Sequence, residues 1–217
     1  MLFRSGSTQL KPFTFASGSL TPDGPPLVLP WANPQGIAVE NATMPSRLAI
    51  SFAGGRVATV QIDGSANMSL VASFLLPSGI GGAPYWCHCP GSLDLIGVGH
   101  PNGNLYVLNA AANSLTTWAT YSGGTGIQTT PSADGAGNWY FAADDGMVYE
   151  VQKPTGTTAM TLAASFGSAG GLFTSSPMLK QCQSDICLYL ASTDAGAYLI
   201  DLDARSVVIT ACVGTPT

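Results

Sequence analysis

Charge is the scarcest property of this chain: 9% of its 217 residues are Asp, Glu, Lys or Arg, against 46% in the AVILMFWYC set. That balance excludes disorder of the charged, weakly hydrophobic kind. Seven basic residues stand against twelve acidic ones and are scattered from Arg4 to Arg205, so neither a nucleic-acid footprint nor a polybasic membrane patch is present. Long apolar runs are missing as well. Gly, Pro, Asp or Asn interrupts each one well short of the ~18 residues a spanning helix needs, and no membrane insertion is expected. The opening MLFRSGSTQLKPF has no apolar signal-type region and no small-residue cleavage pattern. Either a signal has been removed or the chain begins mid-protein. Catalytic signatures are absent too: there is no GxSxG, HExxH, Walker loop or GxGxxG, and the only histidines are His88 and His100. Hydrolytic and nucleotide-dependent chemistry is therefore not expected.

What the chain has in quantity is turn residues. Its 26 Gly and 15 Pro make up about a fifth of the sequence. The length suffices to bury ~70% of the unfolded surface in one domain without a cofactor. Five cysteines and two sequons bear on compartment. Cys182 and Cys187 flank a QSD turn, a spacing at which two strand ends face each other and oxidise. Asn41-Ala-Thr43 and Asn67-Met-Ser69 match the glycosylation acceptor pattern and fall in loop-like stretches. Low charge, cysteines and sequons together point to a secreted, extracellular protein. Cys87, Cys89 and Cys212 remain as an odd set, which leaves at least one thiol free or bonded elsewhere. Cys87-His88-Cys89 is the one soft-ligand cluster. Zinc usually takes cysteines two residues apart and needs a fourth ligand, so no metal is assigned, and oxidation to a more distant cysteine with His88 exposed in a turn is expected.

A period of 40 to 50 residues organises the chain, the signature of a propeller. Pro84, Pro131 and Pro177 recur 47 and 46 residues apart. Gly103, Gly146 and Gly196 each precede an aromatic strand (NLYVL, MVYEV, AYLID), and Gly55 occupies the corresponding place 48 residues before Gly103. Within each copy four short apolar or alternating runs are separated by turn residues, which predicts four-stranded antiparallel meanders at about 34–76, 82–121, 126–166 and 171–213. In the third copy the strands are expected near TTPSA, NWYFAA, MVYEVQ and TAMTLAAS. Tyr106, Tyr149 and Tyr198 recur in the third strand and are read as packing between sheets. The fold class is thus all-β, a β-propeller of four blades, with residues 1–33 supplying outer strands of a further partial blade through FTFAS and LVLPW. Four is the lower limit for a closed propeller, which suggests a part of a longer polypeptide or a ring completed by a partner chain.

The run GNLYVLNAAANSLTTW, closed by Trp118, resembles the tryptophan-docking repeat of the PQQ-like, quinoprotein-type β-propellers, whose blades read G-x-L-Y-A-L-D-A-x-T-G-x-x-x-W. GMVYEVQKPTG carries the same beginning and the Thr155-Gly156 pair, while SSPMLK and TTPSAD look like the inner strand of that family. The resemblance covers about residues 34–213. It implies the fold more than the function, because the family includes dehydrogenases, assembly scaffolds and binding modules. Its redox members hold a quinone and Ca²⁺ in the axial funnel, with adjacent cysteines nearby in many of them. This chain has no adjacent pair, and no position matches a quinone or calcium ligand, so no cofactor is assigned. Asp144, Asp145 and Asp194 are read as turn-shaping acids. Ser132 to Trp139 suggests a sialidase Asp-box with the glycine one place late, and is read as a plain turn.

Strand reversal places turns one-to-two and three-to-four at one end of each blade. Asn41, Asn67, the Cys87/Cys89 turn and the Cys182/Cys187 turn then share one face. The other face carries GHPNG, DDG and TDAG with the connections PSGIGGAP, SGGTGIQ and GSAGG, which look small and flexible enough to approach a partner. The leading reading is a non-catalytic binding or assembly scaffold whose partners are other protein chains or the rest of a larger protein. Its rivals are a quinoprotein-like oxidoreductase with its ligands outside these residues, and a glycan-binding propeller relying on exposed aromatics such as Trp86 and Trp139.

Overall fold

The computed structural model describes residues 8–16, 19–22, 24–40, 46–77, 79–89, 93–111, 113–167, 172–182, 185–193 and 196–212. Among them every regular element is a strand. An N-terminal arm holds β1 (Gln9–Leu10), β2 (Phe13–Ala16), β3 (Ser19–Pro22) and β4 (Leu27–Val28). Four antiparallel meanders follow. The first sheet is β5 (Pro34–Val39), β6 (Ser46–Phe52), β7 (Arg56–Ile62) and β8 (Met68–Leu75), and the second is β9 (Tyr85–Cys89), β10 (Leu93–Gly99), β11 (Asn104–Ala111) and β12 (Ser114–Ser122). The third is β13 (Ser132–Ala133), β14 (Trp139–Ala142), β15 (Val148–Gln152) and β16 (Thr161–Phe166), and the fourth is β17 (Met178–Cys182), β18 (Asp185–Ala191), β19 (Gly196–Asp201) and β20 (Ser206–Cys212).

The same local chemistry builds each sheet. The turn from second to third strand is closed by Gly103 N–H donating to the His100 carbonyl, by Gly146 to Ala143 and by Gly55 to Phe52. At Gly103 φ is +86°, a left-handed conformation that a side chain would strain, which explains the glycine anchor. Each outer strand then carries a bulge at one equivalent place. Val71, Trp118, Ala163 and Val208 are the residues left unpaired where the register shifts. The bulge adds local twist to the outer strand.

The sheets stack face to face in chain order. First strands of successive sheets touch, β5 with β9, β9 with β13 and β13 with β17, and outer strands β8 and β12 meet at the rim. This is the radial arrangement of propeller blades. Successive side chains on a strand point to opposite faces, so each sheet presents one set to the sheet before it and another to the sheet after it. Ala49 and Val57 meet Trp86, Ile96 and Val98 between the first and second sheets. Leu95 and Val107 meet Trp139 and Phe141 between the second and third. Tyr140 and Val148 meet Leu188, Leu190 and Tyr198 between the third and fourth. Tyr106, Tyr149 and Tyr198 all face the preceding sheet, in keeping with a packing role. Gly97 is required by this stacking, since a Cβ there would overlap the Trp139 ring.

One expectation is corrected. The inter-sheet connections are not loose: their backbones are sewn to the turns on either side. Gly81 N–H donates to Gly99 O at 2.9 Å, Ile127 to His100 O at 3.0 Å, Asp144 to Gly126 O at 2.7 Å and Phe173 to Gly146 O at 3.0 Å. Small residues there serve close approach of backbones. The N-terminal arm forms two separate pairs, β1 with β4 and β2 with β3. Through Leu10, Leu27, Leu29 and Trp31 it packs on the face of the first sheet that bears Leu48, Ile50 and Phe52. The arm thereby covers the side on which a preceding blade would sit.

Candidate functional site

Among the described residues, a dense polar constellation joins the first two sheets at the end that carries turns one-to-two. Arg47 on β6 is a hub. Its Nη2 and Nε donate to Glu40 Oε1 at 2.6 and 3.2 Å, its Nη1 donates to the Ala110 carbonyl at 2.9 Å, and Nη2 also bonds Asp94 Oδ2 on β10. The guanidinium lies 5.0 Å from the centre of the Trp86 ring. The bond to Glu40 pushes the Arg47 pKa up; burial opposes this and the Asp94 bond adds to it. His88 on β9 closes the group, with Nδ1 2.7 Å from Asp94 Oδ1 and Nε2 3.0 Å from the Glu40 carbonyl oxygen. A cleft of about 410 Å³ opens beside it, lined by Arg47, Gln61, Leu93, Asp94, Asn109 and Ala110.

Ligand atoms of Glu40, His88 and Asp94 lie within 4.8 Å of one another, a spacing that could hold a metal ion. Arg47 already supplies the positive charge at that point, and both Asp94 oxygens and both Glu40 oxygens are engaged. A His–Asp pair orients a general base only when the second ring nitrogen faces a nucleophile. Here it faces a backbone carbonyl of the neighbouring sheet. The constellation is an inter-sheet clasp, with its groups spent on holding two blades together.

Sequence reasoning singled out His88 but missed its partners. Cys87-His88-Cys89 is not a turn: it is the end of β9, with Cys87 and Cys89 buried toward the third sheet and His88 exposed on the opposite side. The two sulfurs form a close pair with each other, across a Cα–Cα distance of 5.3 Å, which corrects the expectation of a more distant cysteine. Cys187 is buried opposite Lys180; Cys182 lies opposite Asp185 at the end of β17, and Cys212 opposite Gly196 on β20, with both side chains outside the described residues. Asn41 and Asp194 also lie outside them. Asn67 is exposed, and its amide nitrogen donates to Asp63 Oδ2 at 3.0 Å. Bonds from Asn67 and Ser65 hold the Asp63 carboxyl below the ordinary carboxylate range. Asp145 shapes its turn by accepting from Met147 N–H, and Asp134 accepts from the Ala136 and Asn138 N–H groups, so the Asp-box look-alike is a turn. Trp86 and Trp139 are 7% and 0% exposed, and the glycan-binding reading loses the aromatics on which it relied.

The second site is a surface the sequence did not flag. Tyr140 in the third sheet and Tyr189 in the fourth hold equivalent places, as do Gly97 and Ala49 in the earlier sheets; each pairs with the central residue of its third strand, Glu150, Leu199, Val107 and Thr59. In the first three sheets this face is covered by the next sheet, and Tyr140 is 2% exposed. In the fourth sheet Tyr189 is 37% and Met178 62% exposed, with Ala191 and Ala197 exposed and Leu199 half-buried beside them.

No protein-family model matches the chain, and no curated protein does. Among solved structures, the crystal structure of BamB from Moraxella catarrhalis is similar at a TM-score of 0.61 and 14% identity, over 90% of this chain and 57% of that one. The chain thus spans a little over half the length of that relative. At this identity the likeness speaks for the fold alone, and with four radial four-stranded sheets on the page that fold is a β-propeller's.

Proposed function

We propose that this protein is a non-catalytic scaffold of the extracellular space, a PQQ-like propeller module that docks protein through the outward face of its fourth sheet. One observation carries the reading. That face repeats the construction of three faces that are each covered by a blade within the molecule, yet Met178 and Tyr189 stand exposed on it. Large apolar side chains grouped on a flat sheet mark an interaction surface, and Met and Tyr are among the residues enriched in interfaces. The sewn connections support the same role, since a surface that is already rigid loses little entropy on binding. The resemblance of the blade motifs to the quinoprotein-type repeats supports the family assignment, and the sequon at Asn67 with the Cys87–Cys89 pair, read as a disulfide, supports the extracellular one.

A photo-reactive residue at position 178, compared with one at the exposed Leu162 on the rim, tests the reading. Protein adducts are expected from position 178 in preference to 162. Equal labelling at both, together with dye reduction when quinone, Ca²⁺ and an alcohol are supplied, would replace the scaffold by the oxidoreductase.

A further inference from the structure

We infer that Cys87 and Cys89 form a reversible thiol–disulfide site whose state sets whether the clasp between the first and second sheets is engaged. The inference goes beyond the docking role and rests on reading the close Cys87–Cys89 pair as a disulfide. Both cysteines and the histidine between them belong to β9, and they pair in regular register with Leu95, Asp94 and Leu93 of β10. Side chains alternate along a strand, so the cysteines and His88 act on opposite sides. Cys87 and Cys89 join the cluster that holds Leu95 and Trp139 together between the second and third sheets. His88 reaches the other way, to Asp94 Oδ1 at 2.7 Å and, across to the first sheet, to the Glu40 carbonyl oxygen at 3.0 Å.

The spacing along β9 links the two sides. Cα atoms two residues apart in an extended strand are separated by ~6.8 Å. Between Cys87 and Cys89 the separation is 5.3 Å, so the strand is drawn in by about 1.5 Å over the one residue they enclose. Consecutive Cα atoms stay ~3.8 Å apart, and the contraction therefore lifts the middle Cα out of the strand. Two such links spanning 5.3 Å place the His88 Cα about 2.7 Å off the line joining its neighbours, against about 1.7 Å when they span the extended distance. In a pleated strand each Cα is displaced to the side on which its Cβ points, so this gain of about 1 Å carries the imidazole toward the first sheet. A retreat of that size stretches the Nε2 contact with Glu40 from 3.0 Å to about 4 Å, beyond hydrogen bonding. Arg47, which bonds both Glu40 and Asp94, is then left as the polar link across the joint among the described residues.

The chemistry is exchange with a dithiol. One thiolate of the dithiol attacks a sulfur of the pair, forming a mixed disulfide and expelling the other cysteine as a thiolate; the second thiolate of the dithiol then displaces the first cysteine. Two electrons and two protons pass to the protein, both cysteines end as thiols, and the dithiol leaves as its own disulfide. Cys87 and Cys89 are 6% and 5% exposed, so the dithiol gains access when the end of β9 opens. Among the described strands β9 is hydrogen-bonded to β10 alone, which makes that opening a local event. The clasp is engaged under oxidising conditions and released where dithiols are abundant.

The test compares the cost of His88→Ala in two states of the chain. In the oxidised protein the substitution should lower Tm by about 2–4 °C. In a Cys87→Ser/Cys89→Ser background, which separates this pair from the other three cysteines without any reductant, it should leave Tm unchanged. The same comparison in protein reduced by dithiothreitol should give the same loss of effect, and it does not depend on the serine variant folding. Alkylation followed by mass spectrometry should label Cys87 and Cys89 only after reduction. A cost of His88→Ala that is equal in the oxidised and reduced proteins would overturn the inference while the disulfide stands. Labelling of both cysteines before any reductant is added would remove the disulfide and the inference together.

Discussion

Glu150→Gln is expected to stabilise the protein at neutral pH and to have no such effect in acid. Glu150 lies on β15, paired with Tyr140, in the interface between the third and fourth sheets. Its side chain is 8% exposed, and among the described residues Oε2 has no hydrogen-bond partner. The nearest cation, Arg205, is 3.8 Å from Oε1 and largely in water, so it compensates little. Burial pushes the Glu150 pKa up from its ordinary 4.5; Arg205 pulls it down and Asp134 adds to the rise. The same neighbourhood raises the Tyr140 phenol, through burial first and then Asp134 and Glu150. The folded state therefore holds the Glu150 proton more tightly than the unfolded chain does. Its contribution to stability is fully present below the ordinary glutamate value and is lost as pH rises through the raised folded value. Above that point a buried charge with one unpaired oxygen remains, a cost of about 1–3 kcal/mol. Glutamine removes the charge at similar volume. For a chain of this length that corresponds to a rise in Tm of about 2–12 °C at pH 7.5. Thermal unfolding of both proteins from pH 4 to 8 measures it. A difference independent of pH, or a variant less stable than the parent at pH 7.5, would refute the argument.

Gly97→Ala drives a methyl group into the Trp139 ring, and a loss of about 1–3 kcal/mol is expected in urea unfolding. Arg47→Met leaves Glu40 and Asp94 facing each other across the first two sheets; as a half-buried hub it should cost about 1–3 kcal/mol, whereas Arg56→Met at the surface should cost under about 1 kcal/mol. Asn67→Gln is expected to abolish one glycan on protein recovered from a eukaryotic secretory host, read as intact mass before and after enzymatic deglycosylation. Alkylation of the unfolded chain without reductant should spare Cys87 and Cys89, and labelling of both would remove their proposed disulfide.

Much of this architecture is legible in the chain because a four-stranded meander is local. Gly103 closes a turn between strands that are neighbours in sequence, and the left-handed φ it adopts favours the residue type seen there. The near-continuous apolar runs in NWYFAA and MVYEV report a sheet with two covered faces, and the recurrence of such units near 46 residues reports stacking. The acids of the turns were also readable, since Asp145 and Asp134 bond backbone groups within four residues of themselves.

Whatever depends on one blade meeting another was not readable. Arg47 and Asp94 are 47 residues apart, and nothing in either local pattern announces the other. Trp86 and Trp139 look alike to an exposed aromatic until a neighbouring sheet is laid over them. Tyr140 and Tyr189 stand in matching sequence contexts, yet one is sealed and the other faces outward, because burial depends on what lies across the inter-sheet gap. The residues by themselves determined the repeating unit, its strands and its turns. The tertiary structure decided which strand faces are covered by a neighbouring sheet and which residues, such as Met178 and Tyr189, stand exposed, since hydrogen bonds along a meander are settled within forty residues while packing between sheets is settled only when they stand side by side.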